Sequence, residues 1–268
     1  MASIATAGAA PARPSIRARL TSDRAISILS PIALLSIWEI CAQLGLLDER
    51  FFPAPSQIVG HMIDMGLHGG LWDNVGASLY RLAVGLVVGG LPAIVIGLAM
   101  GLYHPVRAAL DPLISATYPI PKSSLLPLIL LIFGIGEASK IAMVAIGVFY
   151  PVVINTAVGV RQIQPIYLDV GRNFRASRWN TFRTIALPGA LPLIMTGIKL
   201  GAGMGLVLIA IAEMVGAKSG LGYMIWNAWE LFDVTTMYVG LFVIALIGFI
   251  MNSALDAVER RVVPWKSA

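Results

Sequence analysis

Six stretches of nearly continuous apolar residues, at about 26–47, 77–102, 110–133, 138–160, 188–213 and 235–257, constrain this chain more than any other feature. A bilayer core about 30 Å thick is crossed by roughly 20 residues of α-helix, and only helices or closed barrels satisfy every backbone group there. The runs do not alternate polar and apolar positions, which excludes an outer-membrane barrel. They leave the chain with 57% hydrophobic and only 12% charged residues, against about one-quarter charged in a soluble domain. The expected fold is all-α, a polytopic membrane protein with about six transmembrane helices.

The net charge of +5 falls in short patches between these runs. It therefore reads as topology, and no nucleic-acid partner is expected. Cytoplasmic loops retain Lys and Arg. Arg13, Arg17, Arg19 and Arg24 precede the first run, Arg107 follows the second, and Arg161, Arg172, Arg175, Arg178 and Arg183 follow the fourth. Arg260, Arg261 and Lys266 follow the last. The alternate loops hold Arg50, Lys140 and Lys218, with Arg81 near the mouth of the second run. Both termini are thus expected to be cytoplasmic: a tail over 1–25, a first span over 26–47, a periplasmic loop over 48–76, a membrane core over 77–257 and a tail over 258–268. The first run lacks a small-residue cleavage site before Asp48 and Glu49, so it reads as an uncleaved span. Cys41 has no second cysteine to pair with.

The third run crowds Pro112, Pro119, Pro121 and Pro127 around Lys122. Proline removes a backbone donor and breaks a helix, and broken backbone survives in a membrane only where protein or a water-filled cavity shields it. Pro121, Lys122, Ser123 and Ser124 are candidate pathway residues on that reading. On the other, the segment is a kinked structural helix with Lys122 reaching an interface. Glu213, at the outer end of the fifth run, reads either as a gate or docking residue or as an interfacial anchor. Lys199, a turn or two from the inner end, can snorkel. Glycines four apart, Gly85/Gly89, Gly97/Gly101, Gly197/Gly201 and Gly201/Gly205, read as close helix packing.

Chemistry of other kinds finds no support. His61, His68 and His104 are scattered without metal-ligand spacing, read as solvated loop residues, and no metal site is expected. No Ser/His/Asp grouping suggests a hydrolase, and no catalytic residues are assigned. Gly216-Ala-Lys-Ser219 has Ala where a phosphate-cradling loop needs Gly, so the chain is not an ATPase by itself. A secondary transporter driven by an ion gradient would carry two matching broken helices. Only one strongly broken run is evident.

The loop 161–187 is the longest basic connection. Tyr167 to Ile185 can form short amphipathic helices, with Leu168, Phe174, Trp179, Phe182 and Ile185 apolar and arginines between them. Pro165 suits a helix start and Leu187-Pro188 a stop before the fifth span. Such a segment can simply follow the charge rule, lie on anionic lipid or dock into a partner protein.

The stretch from Asp169 to Pro192 resembles the cytoplasmic Glu-Ala-Ala loop of binding-protein-dependent ABC importer permeases. Asp169, Val170 and Gly171 stand at the Glu-Ala-Ala positions, Arg175 stands where that family has Gly, and Ile185, Leu187 and Pro188 match its closing Ile-x-Leu-Pro. Phe52-Pro-Ala-Pro-Ser56, Ser78-Leu-Tyr-Arg81, Pro119 to Glu137, Pro151 to Gly159, Ala212 to Gly222 and Glu259 to Trp265 are similar to the nitrate/sulfonate/taurine branch. The resemblance implies a type I importer fold in the bacterial inner membrane. It implies that Asp169, Val170, Gly171, Phe174, Arg175, Ala176, Ser177, Arg178, Ile185, Leu187 and Pro188 couple the permease to an ATPase. It further implies two ATPase subunits that bind ATP and Mg, no cofactor in this chain, a second copy or paralogue of the permease, and an external solute-binding protein. The implied cargo is a small solute, an anion such as nitrate, a sulfonate or taurine, or else a thiamine-precursor-like molecule.

Overall fold

The computed structural model describes residues 16–265, all helix, turn and loop with no strand among them. The expectations for residues 1–15 and for Lys266 lie outside the described residues. The chain divides after Val59 into two compact units.

In the first unit, α1 (Ile16–Gln43) ends in a turn before Pro53-Ala-Pro. Glu39 accepts from the Ser56 amide at 2.9 Å and from its hydroxyl at 2.7 Å. A carboxylate on one helix thus satisfies a free amide in the first turn of α2 (Pro55–Leu67).

The second unit is built on α3 (Leu71–Leu102), α6 (Glu137–Arg161) and α9 (Leu187–Met214). Small residues set how these three pack. A Cβ added at Gly97 would lie 2.6 Å from Thr156 Cβ and 2.7 Å from the Val153 carbonyl; Gly85 faces Val144, and Gly101 faces Val160. The offset is the same throughout, so α3 and α6 run parallel. Between α6 and α9, Gly197 meets Val152, Gly201 meets Val148 and Gly205 meets Val144, so α9 runs antiparallel to α6. The glycine pairs seen in sequence are the two seams that grip α6. Ala93, Val144, Val152 and Val153 are fully buried between them.

Because α3 and α6 are parallel, the segment joining them must return the chain from one end of the unit to the other. That segment is α4 (His104–Thr117), a 3₁₀ turn over Lys122–Leu125 and α5 (Leu126–Phe133). Its two halves are bent by 92°. The irregularity predicted from the prolines is therefore a sharp break. Among the described residues, five helices are long and apolar enough to cross a membrane, or six if this bent pair counts as one span.

Three shorter helices follow: α7 (Pro165–Asn173) and α8 (Arg178–Thr181) in the arginine-rich loop, and α10 (Leu221–Glu230) before the final α11 (Val234–Val262). The stop expected at Leu187-Pro188 does not occur. A π-turn over Phe182–Ala186 joins α8 to α9, with the Leu187 amide donating to the Phe182 carbonyl. Pro188 lacks the donor a regular turn would use, and widening the turn accommodates it without ending the helix. The result is one helical run from Trp179 to Met214, 36 residues. His61 also differs from its reading as a loop residue: it lies on α2 and bonds Thr236 Oγ1 at 2.8 Å.

Candidate functional site

The arginine-rich loop is a helix–turn–helix whose root is buried and whose tip is bare. Phe182, Leu187 and Ile163 pack on Leu98, Val160, Ala190 and Ile194, which anchors the loop to the ends of α3 and α6. Gly171 lies where α7 meets the following segment, and a Cβ there would stand 3.1 Å from Ile185 Cδ1. Beyond this root, Phe174 is 82% exposed, and Ile166, Tyr167, Val170 and Trp179 are exposed with it. Asp169, Arg175 and Ser177 are also on the surface, and Ala176 is half-buried. Trp179 stacks on Phe182 at 5.5 Å.

Arg175 holds the turn. Its φ is +51°, in the left-handed region that favours glycine, and the Ala176 amide donates back to the Gly171 carbonyl at 2.9 Å. That pairing closes α7 as a Schellman motif with Arg175 in the usual glycine position. The site where the family pattern has Gly is thus the site where the backbone asks for Gly. A non-glycine residue there costs about 1–2 kcal/mol. Arg175→Gly is expected to tighten the turn, read as roughly fivefold slower hydrogen exchange at the Ala176 amide; Arg175→Val is expected to speed it.

In the broken span, Lys122 is buried, while Pro121, Ser123 and Ser124 are exposed. Lys122 Nζ donates to the carbonyls of Thr117, Tyr118 and Ile120 at 3.0, 3.0 and 2.9 Å, and lies 4.0 Å from the Tyr150 ring centre. An ammonium has three donors, and all three close the free end of α4. Lys122 thus turns back onto the chain's own backbone. It caps the break.

A second cluster joins the starts of α3 and α6 to the end of α9. Glu213 is fully buried. Its carboxylate accepts from Ser78 Oγ at 2.7 and 2.9 Å, from Arg81 Nη1 at 2.8 Å and from the Gly222 amide at 3.0 Å. Arg81 uses all five of its N–H groups: Nε and Nη2 fork onto Glu137 at 2.6 Å, Nη1 takes Glu213 and the Ser219 carbonyl, and Nη2 reaches Ser219 Oγ at 3.2 Å. Ser78 also accepts from the Leu221 amide at 2.8 Å, and Asn74 from the Gly220 amide at 2.8 Å. The Gly220, Leu221 and Gly222 amides at the start of α10 are therefore filled by side chains of α3 and α9. The Glu213 carboxylate faces these groups and not an opening.

Lys199 is not a snorkelling side chain either. It pairs with both Asp256 and Glu259, which clamps α9 to α11. Sequence reasoning met Arg81, Glu137 and Glu259 as members of family-like segments, assigned none of them a partner, and passed over Asp256. The signal that could have found these pairs is that charges of both signs lie within apolar runs, where each needs a partner. Among the described residues no group of acids, histidines and cysteine is placed to hold a metal.

Residues 93–264 match the family described as binding-protein-dependent transport system inner membrane component. The chain is 35% identical to the taurine transport system permease protein TauC of Escherichia coli, over 92% of this chain and 91% of the relative. It is 31% identical to the putative aliphatic sulfonates transport permease protein SsuC of Bacillus subtilis, over 90% and 87%. It is 30% identical to the nitrate import permease protein NrtB of Leptolyngbya laminosa, over 86% and 85%. In fold it resembles a chain of the MetNI methionine ABC transporter in inward-facing conformations, with a TM-score of 0.53 and 22% identity over 72% of this chain and 94% of that one.

Proposed function

The chain belongs to the family of binding-protein-dependent transport system inner membrane components, and from that premise we propose that it carries a small oxyanion, a sulfonate such as taurine or else nitrate, inward across a bacterial inner membrane. Members of this family are ABC importer permeases and not enzymes; the ATPase is a separate subunit, and a binding protein brings the solute. The observation that carries the cargo is that the named relatives handle taurine, aliphatic sulfonates and nitrate. All three present a compact anionic head of oxygens bound to sulfur or nitrogen.

The assembly we propose has two permeases, this chain with a second copy or a paralogue, and two ATPases beneath them that bind the ATP and Mg. Residues 77–257 form the core, 161–187 the coupling loop, and both termini lie in the cytoplasm. The bare tip of the loop supports this arrangement. Exposed aromatics such as Phe174 and Trp179 on an anchored, arginine-bearing helix pair suit a protein groove, where buried aromatics dominate binding energy. Work done on the loop is then mechanical, since the chain contributes no group to ATP chemistry.

The test is ATP-driven uptake of taurine by the complete complex in proteoliposomes with its binding protein. Taurine uptake above that seen without ATP is the expected result; none, with nitrate and an alkanesulfonate equally inert, would sink the cargo assignment. Phe174→Ala is expected to weaken permease–ATPase association by about 30-fold, the cost of losing one interface anchor. Unchanged association, with binding shifted to anionic vesicles, would assign the loop to lipid instead.

A further inference from the structure

The cluster around Glu213 lies apart from the arginine-rich loop and from the break in the third span, and its carboxylate is buried and held by Ser78, Arg81 and the Gly222 amide. Its position is the informative point. The helical run that begins at Trp179, inside the arginine-rich loop, ends at Met214, one residue past Glu213. Its regular part, the 28 residues of α9, is about 42 Å long at a rise of 1.5 Å per residue, long enough to cross a bilayer, and the π-turn joins it without a gap to the loop, so one continuous helical run links the loop to the buried carboxylate. At that end Glu213 holds α3 through Ser78 and Arg81, α6 through Arg81 and Glu137, and α10 through the Gly222 amide.

The turn between α9 and α10 is folded onto the same side chain. Gly220 has φ +119°, and a Cβ there would run into the Glu213 carboxyl group. A Cβ at Gly222 would stand 2.8 Å from Glu213 Cβ and overlap the Ala210 carbonyl. The carboxylate therefore has no slack: a displacement of the end of α9 carries the start of α10 with it.

We propose that Arg81 and Glu213 are positioning residues of the transport cycle, which lock α10 and the outer ends of α3 and α6 to the end of α9, so that motion of the coupling loop reaches the outer face. This rests on the importer reading above. The residues touch no solute; they set what moves together. Arginine is required because its five donors serve Glu137, Glu213 and Ser219 at once, which the three donors of lysine do not.

The experiment uses the complete complex in proteoliposomes and measures taurine taken up per ATP hydrolysed. Glu213→Gln and Arg81→Lys are expected to lower that ratio by about threefold to tenfold, the usual span for a coupling residue. Lys218→Ala, exposed in the same turn, is expected to leave it unchanged. A purely structural role would reduce uptake and hydrolysis together and keep the ratio at the wild-type value, and that result would overturn the proposal. Should the charge variants fail to assemble, Ser78→Ala removes the relay to Leu221 without orphaning a charge, and the same ratio decides.

A second readout needs no cargo. With Cys41 replaced by serine, a cysteine put in place of Trp229 on α10 reports by its rate of reaction with an impermeant thiol reagent. The rate is expected to change on ATP trapping in the parent and to lose that change in Glu213→Gln. Equal changes in both would overturn the proposal. A parent that traps ATP and shifts its label but takes up no taurine would count against the cargo alone.

Discussion

Replacing Arg81 with alanine is expected to destabilise the fold by about 3–5 kcal/mol, because it leaves the buried Glu213 carboxylate without its counter-charge. The thermal unfolding midpoint of the permease in detergent should fall by about 10 °C, at roughly 2–4 °C per kcal/mol for a chain of this size. The double variant Arg81→Ala/Glu213→Ala separates causes. If the penalty comes from the uncompensated charge, the double loses clearly less than the sum of the singles, since no charge is left behind. A strictly additive double would mean that the pair is not coupled and that the losses are those of packing. Glu137 adds a built-in comparison: it is about half exposed, so Glu137→Ala leaves Arg81 with Glu213 and Ser219 and should cost much less.

The second large effect is expected at Lys122. Lys122→Met keeps the stem length and removes the charge, which leaves the Thr117, Tyr118 and Ile120 carbonyls without donors at the break. Hydrogen bonds from a charged donor contribute about 1.5–3 kcal/mol each, but burying an ammonium has its own cost, so a net loss of about 2–4 kcal/mol is expected. Lys122→Arg should recover only part of it, because a planar fork does not converge on three carbonyls as an ammonium does. Circular dichroism and unfolding midpoints of the three proteins give the order. If Lys122→Met unfolds like the parent yet transports poorly, the cap is dispensable and Lys122 belongs to the solute path instead.

How far these features were legible in the sequence depends on what each one needs. The spans were legible because a helix in lipid needs only length and apolarity, both local. The break after α4 was legible because Pro119, Pro121 and Pro127 withdraw donors wherever they are placed. The strained position at Arg175 was visible as a departure from the family pattern, and the left-handed φ supplies its cause. The pairing of Arg81 with Glu213 was not legible: the two are 132 residues apart, and only the parallel and antiparallel seams of α6 bring their ends together. The direction of Lys122 was equally hidden, since snorkelling and capping begin from the same stem. Leu187-Pro188 misled for a different reason. Proline stops a helix only if the turn cannot widen, and here it widens.

The seams that grip α6 also govern how the unit can deform. On α3, small residues recur every four positions from Gly85 to Gly101, and α6 sets bulk against three of them at one constant offset, Val144 at Gly85, Thr156 at Gly97 and Val160 at Gly101, while Gly89 lies on the Ala145 backbone. Such surfaces mesh like two racks of equal pitch. Sliding α6 along α3 by less than one tooth, about 6 Å, would push Thr156 and Val160 out of their notches and against backbone. Shear of packed helices is a small sliding motion, and this toothing opposes it. These helices are therefore a single stiff block, and any opening of the molecule has to be found at borders without teeth.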